Sequence, residues 1–305
     1  MIKEDEDIRD GFFNDLLKKF KKNKKVFFLT ADQGTFKLQE FIEFDQKRVI
    51  NVGISEQHLI SFASGLASAG NIVYVYAISS FLILRALEQI KVDLVFNNPN
   101  VKMIGMGTGF CYSQDGPTHH SLEDISVLRP YSNINIFTPS NSITSELISN
   151  LIYKNTGLDY IRLDKGRFDY NGIYGKTKHL DNLVVLKKGN YTNCIISCGV
   201  ILNTVFKKYF DKENLQIVDI YKSNSITDQT INFLSKFKKI IIIEENIANS
   251  SIGSILESHL INSKVKIIKI GASSLVNYEY GSRDYLIDKI ILNEKNKKEI
   301  DNFLN

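Results

Sequence analysis

Two consecutive α/β domains, each a mainly parallel sheet with flanking helices, form the architecture this sequence predicts. Short β-branched runs alternate with stretches of helical periodicity from Ile8 to Leu163. The alternation loosens between Phe168 and Lys188 into glycine, lysine and polar residues, then restarts. Such alternation is what parallel layers require, because each crossover between parallel strands needs an intervening segment, usually a helix. The division that follows is a first domain over residues 1–178, a linker over 179–188 and a smaller α/β domain over 189–305. At 305 residues, the chain is long enough for a sizeable core in each.

In chain order, an amphipathic helix from about Ile8 to Lys19 precedes a buried strand, Val26-Phe27-Phe28-Leu29-Thr30. Val49 to Val52 is a second strand, and Glu56 to Ala69 a helix of small and apolar residues. Ile72 to Ala77 is a strand and Phe81 to Phe96 a helix; Val101 to Met106 is a strand running into a glycine-rich loop, Gly105 to Gly116. Asn135 to Thr138 is a strand, Ser142 to Asn155 a helix and Tyr160 to Leu163 a strand. In the second domain Cys194 to Ser197, Gln216 to Ile220, Ile240 to Ile243 and Lys266 to Ile270 are short strands with helices between them. No internal repeat or low-complexity tract interrupts this order.

Composition excludes several classes. A hydrophobic share of 43% and a charged share of 24% are those of a soluble globular protein. The net charge of +4 is mild and demands neither nucleic acid nor a membrane surface. The densest basic run, Lys18 to Lys25 with six lysines, reads as a solvated helix end. Three cysteines, Cys111, Cys194 and Cys198, form no disulfide framework and no common zinc pattern. The N-terminus is acidic and polar, unlike a signal peptide, and the longest apolar stretch, Ile72 to Leu84, is interrupted by Ser79 and Ser80. A cytoplasmic enzyme is the expectation.

Three segments carry chemistry. Asn51-Val-Gly-Ile-Ser-Glu56-Gln-His58 falls where a strand ends and a helix begins, the edge at which open α/β sheets bind ligands; simple capping by Ser55 and Glu56 is the competing reading. Ser79-Ser80-Phe81-Leu-Ile-Leu-Arg85-Ala-Leu-Glu-Gln89 is by itself a buried helix with one awkward arginine. Gln114-Asp115-Gly116-Pro117-Thr118-His119-His120-Ser121-Leu122-Glu123-Asp124 invites a metal reading. Its histidines, however, are adjacent and point apart, unlike the offset ligands of a helical zinc site, so a substrate-facing loop is favoured and no metal ligand is expected from this chain.

Together these segments resemble the transketolase superfamily of thiamine-diphosphate enzymes. Gly-Ile-Ser-Glu56-Gln-His58 is similar to its pyrimidine-site motif. Phe81-x-x-x-Arg85-x-x-x-Gln89 is close to the cofactor-stacking helix of deoxyxylulose-phosphate synthase, and Asp115-Gly-Pro-Thr-His119 matches the transketolase substrate loop. Thr138-Pro139-Ser140 and Arg162-Leu-Asp-Lys165-Gly166 fall where the family closes its first domain, and Cys198-Gly199 with Ile240 to Glu245 resembles its third. The resemblance implies a pyrimidine-binding domain followed by the transketolase C-terminal domain. The family's Gly-Asp-Gly motif, which holds the metal and the diphosphate, is absent from this sequence. The expected protein is therefore one half of a two-chain transketolase. Its partner would be an N-terminal subunit holding the diphosphate with Mg2+ or Ca2+, in an assembly of two copies of each chain.

The resemblance assigns Glu56 to the aminopyrimidine ring nitrogen, Phe81 to stacking on that ring and Arg85 to the same pocket. Asp32 occupies the place of a family acid near the cofactor. Asp115 and His119 would meet sugar hydroxyls, with His119 moving protons at the carbonyl oxygen, and Lys165 and Arg9 would contact a substrate phosphate. Gly107 stands where transketolases usually place a histidine, and Lys165 where they place an arginine. Both departures point to an acceptor other than an ordinary pentose phosphate, such as an unphosphorylated, sulfonated or nucleotide-linked sugar. The competing reactions are those of deoxyxylulose-phosphate synthase or a 2-oxo acid dehydrogenase β chain. A non-catalytic paralogue is the alternative outside enzymology.

Overall fold

The first sheet contains β1 (Val26–Thr30), β2 (Val49–Asn51), β3 (Ile72–Ile78), β4 (Val101–Met106), β5 (Ile134–Phe137) and β6 (Leu158–Leu163). They lie in the order β2-β1-β3-β4-β6-β5, every pair parallel. The computed structural model describes residues 6–34, 37–168, 170, 173, 180–273 and 278–304. The first-domain boundary at 178 and the first linker residue, 179, lie outside them.

The strands carry near-continuous apolar runs because both faces are covered. One face packs on α1 (Ile8–Lys22), which abuts the helix Ser142–Lys154. The other packs on α3 (Glu56–Ser68); α2 (Leu38–Asp45) leads into β2. The lysine run is largely a solvated helix end, with one exception: Lys19 is buried, pairing with Asp15 and donating to Ser149 Oγ at 3.2 Å.

The second sheet contains β7 (Val184–Lys187), β8 (Asn193–Ser197), β9 (Leu215–Asp219), β10 (Lys239–Ile247) and β11 (Lys266–Ala272), in the order β11-β10-β8-β9-β7. β7 is the antiparallel edge, paired with β9, and occupies residues that the sequence pattern assigns to the linker. Its four residues sit among polar neighbours and are too few to show a period.

Each of the two apolar clusters runs through both domains, one joining Phe137 and Leu163 to Ile217 and Ile243, the other Ile136 and Tyr160 to Cys194 and Val218. Backbone bonds cross as well: Thr138 N donates to Tyr221 O at 2.8 Å, and Ile247 N to Leu122 O at 3.1 Å. All three cysteines are buried thiols. Among the described residues no helix is long and apolar enough to cross a membrane.

Candidate functional site

Thr30 is in register with both Asn51 and Tyr76, Ile78 with Met106, and Met106 with Leu163. Five strands thus deliver their carboxyl ends to one edge, and the chemistry-bearing loops leave from there. Strand order changes direction between β1 and β3, the place where open α/β sheets leave a crevice.

Glu56 begins α3 just beyond β2. Simple capping does not describe this turn: the Ser55 hydroxyl donates to the Val52 carbonyl at 3.0 Å and makes no cap bond. Glu56 itself is only 3% exposed. Arg85 Nη1 donates to its Oε2 at 2.6 Å, while Oε1 has no partner among the described residues. Arg85, with 45% of its side chain exposed, also lies over the Phe81 ring, 4.5 Å from its centroid. Phe81 in turn meets His119 edge to face at 5.0 Å.

This arrangement depends on a helix that departs from the sequence expectation. Phe81 to Phe96 is not a uniform α-helix: Phe81–Arg85 and Ile90–Val95 are π-helical around a short α turn, Leu87–Gln89. Phe96 N reaches back five residues to Lys91 O at 3.3 Å. Wide turns of this kind are frequent at functional sites. The two serines that interrupt the apolar run in sequence prove to be anchors. Ser80 Oγ donates to the Thr118 carbonyl at 3.2 Å, tying the residue before Phe81 to the residue before His119. Ser79 Oγ bonds Tyr160 Oη at 2.6 Å and Ser121 Oγ at 2.8 Å.

Beneath them Asp124, 1% exposed, receives Tyr160 Oη and Arg162 Nε at 2.7 Å each through Oδ2, and Asn246 Nδ2 of the second domain at 3.0 Å through Oδ1. Burial disfavours a charged Arg162, but Asp124 and Tyr160 together more than offset it and raise the guanidinium's pKa. No local sequence pattern announces this network, since its members meet only through the fold.

The two histidines do point apart. His119 is half-buried in the cleft with Thr118 Oγ1 3.1 Å from Nδ1; His120 is buried against Phe110 at 5.1 Å, and burial lowers its pKa. Asp115 is exposed on the same loop, where its N–H donates to Tyr112 O at 3.1 Å. Asp32, at φ 55°, is exposed beyond β1; Asn51 Oδ1 accepts from the N–H groups of Asp32 and Gly53, and Asn51 Nδ2 donates to Asp32 Oδ1 at 3.2 Å. Arg9 is paired with Asp7 at 2.8 Å, and Asp7 also accepts from Gly166 N, which brings Arg9 toward the end of β6. Lys165 is exposed, with Nζ 5.5 Å from the Tyr112 ring centroid.

The second domain fixes the glycine-rich loop from outside. Arg283 donates to both Asp164 oxygens, at 3.0 and 2.7 Å, and to both Glu245 oxygens, at 2.8 and 2.7 Å. Glu245 also accepts from Phe110 N at 2.9 Å. Among the described residues no group of three His, Cys, Asp or Glu side chains is placed to hold a metal.

The residue types around Glu56 suit the edge and face of a flat heteroaromatic ring. An almost enclosed carboxylate offers an unclaimed oxygen beside a half-buried phenyl ring, and Ile54, 77% exposed, leaves one side open.

Residues 6–167 match the family described as the pyrimidine binding domain of transketolase. The chain is 33% identical over 233 residues to a subunit of the apulose-4-phosphate transketolase of Actinobacillus succinogenes, covering 73% of each chain. It is 29% identical over 157 residues to the 6-deoxy-6-sulfo-D-fructose transketolase subunit SqwH of a Clostridium species, covering 51% of this chain and 49% of that one. A solved structure described as a split gene transketolase, an inactive beta4 tetramer, superposes with a TM-score of 0.83 at 21% identity, over 98% of each chain.

Proposed function

This chain belongs to the transketolase superfamily as a C-terminal subunit, and from that premise we propose that it transfers a two-carbon ketol unit from a ketose to an aldose together with a second, N-terminal polypeptide. The observation that carries the reading is the run of contacts Glu56–Arg85–Phe81–His119 at the carboxyl edge of the first sheet, open on the side of Ile54. Thiamine diphosphate, when bound, would supply the electron sink for the two-carbon fragment. Its diphosphate and Mg2+ or Ca2+ fall to the partner in this proposal, since the sequence contains no Gly-Asp-Gly. Relatives named as one subunit of a transketolase and as a split gene product support a second, different chain, and an assembly of two copies of each is part of this proposal.

In this assignment Glu56 would hold the cofactor's pyrimidine ring through its free oxygen, while Arg85 fixes the other carboxylate oxygen. Phe81 would supply an aromatic face for that heterocycle. Thr118 engages His119 Nδ1, leaving Nε2 to hold or move a proton at the sugar carbonyl oxygen. Asp115 faces the sugar hydroxyls, Asp32 borders the cofactor, and Lys165 and Arg9 lie at the far end of the substrate.

Co-expression with the Gly-Asp-Gly chain tests the proposal. The purified pair is expected to form a ketose and an aldose of altered length from a ketose–aldose mixture, and each chain alone to be inactive. Release of carbon dioxide from pyruvate in place of that transfer would overturn it in favour of a deoxyxylulose-phosphate-synthase or oxo-acid chemistry.

A further inference from the structure

Tyr280 reaches out of the second domain onto the sugar-facing loop. It belongs to the stretch 278–285, which carries three exposed aromatic rings, Tyr278, Tyr280 and Tyr285. The backbone on either side of Tyr280 is tied down. Glu279 pairs with Lys289 at 2.8 Å, and Arg283 holds Asp164 and Glu245. Tyr285 packs on Gly281, where a Cβ would stand 2.6 Å from its ring. Tyr280 itself, 62% exposed, belongs to neither apolar cluster. Its ring rests instead on Gly116: a Cβ built there would stand 2.3 Å from Cε1, 2.6 Å from Cζ and 2.8 Å from Oη. Burial explains little of this placement, because most of the ring surface stays in water.

Gly116 is the pivot of the turn that presents His119. Its φ of +79° lies in the left-handed region, and its carbonyl accepts from the N–H groups of both His119, at 3.0 Å, and His120, at 3.3 Å. Glycine leaves a pivot more conformational freedom than any other residue, and freedom at this point becomes displacement of the imidazole three residues on. Ser80 holds the turn at the Thr118 carbonyl. The Tyr280 ring acts at the other end, filling the space where a side chain would stand while the left-handed backbone is kept.

We infer that Tyr280 is a positioning residue for the ketol transfer: by closing the space beside Gly116 it holds the turn, and through it His119, in the attitude needed at the sugar carbonyl. The inference rests on the ketol-transfer reading.

The test combines amide hydrogen exchange with kinetics on the two-chain complex, comparing wild type, Tyr280→Ala, Tyr280→Phe, His119→Ala and the double variant His119→Ala/Tyr280→Ala. Xylulose 5-phosphate and 6-deoxy-6-sulfofructose serve as ketoses, with ribose 5-phosphate as aldose. Tyr280→Ala is expected to leave thermal unfolding unchanged, since the ring is mostly exposed. It is expected to speed exchange of the His119 and His120 amides about tenfold and to lower kcat about tenfold. Tyr280→Phe keeps the ring on Gly116 and is expected to match the wild type in both. In the His119→Ala background Tyr280→Ala is expected to lower the residual kcat no further, because its effect is carried by the imidazole. Additive losses in the double variant would overturn the inference, as would Tyr280→Ala leaving either the exchange or kcat unmoved. A wild-type complex that turns over neither ketose would instead overturn the ketol-transfer reading, and this inference with it.

Discussion

Arg85 reaches Glu56 with Nη1 2.6 Å from Oε2, and the pair is asymmetric: the carboxylate is nearly sealed while the guanidinium is almost half in solvent. The arginine thus fixes the orientation of the acid without enclosing it.

Glu56→Gln should leave the fold in place and remove the activity. The arginine it deserts remains hydrated, so loss of the pair costs little stability, about 1 kcal/mol or less. Turnover by the two-chain complex should fall by several orders of magnitude, roughly 10³-fold or more, if this carboxylate acts on the cofactor ring. Unchanged thermal unfolding alongside near-normal kcat would reject the assignment.

Asp124→Ala should behave in the opposite way. It strands Arg162, 3% exposed, without a carboxylate and leaves Asn246 Nδ2 of the second domain with only the Leu122 carbonyl of its two acceptors. The expected loss is about 3–5 kcal/mol, as for other broken buried pairs, read from the urea midpoint. A shift below about 1 kcal/mol would show that water replaces the partner.

Arg283→Lys should loosen the loop that carries His119. A lysine presents one compact charge and cannot bridge two carboxylates as the guanidinium fork does. The Phe110 amide, which donates to Glu245 at 2.9 Å, reports the change: its hydrogen exchange should accelerate about tenfold or more. Unaltered exchange would mean that Glu245 holds the loop unaided.

Glu244 gives the protein a pH dependence of its own. Burial pushes its carboxyl up to about 7, although it accepts from Ile252 N at 3.0 Å and Gly253 N at 2.9 Å. The folded chain therefore holds this proton more tightly than the unfolded chain does. Stability from this group is fully present below the unfolded value near 4.5 and is lost as pH rises through 7, by on the order of 3 kcal/mol. Denaturation midpoints at pH 5 and pH 8 should differ in that direction, and Glu244→Gln should flatten the difference. An identical slope in the variant would assign it to other groups.

Much of this was legible in sequence where residues act locally. The parallel sheets follow from β-branched runs separated by helical patterns, and Glu56, Phe81 and His119 each sit in a contiguous motif beside a strand end. Their convergence needs only the rule that loops leave a parallel sheet at one edge. What stayed hidden acts across distance. Asp124, Arg162 and Asn246 share no local pattern, and Ser79 and Ser80 look like interruptions until Tyr160 and Thr118 are seen against them. The π-helical turns at Phe81–Arg85 shift the phase of a helix whose composition is ordinary. β7 is too short to be told from the segment around it.

The clamp made by Arg283 and Glu245 also bears on how this polypeptide evolves and is engineered. A shortened gene ending after the first sheet would still encode every residue assigned to chemistry, yet it would discard the props that hold the sugar-facing loop in shape. The terminal third is scaffolding for a neighbour's workbench, and selection on turnover would preserve it even though none of its side chains is assigned to the reacting sugar.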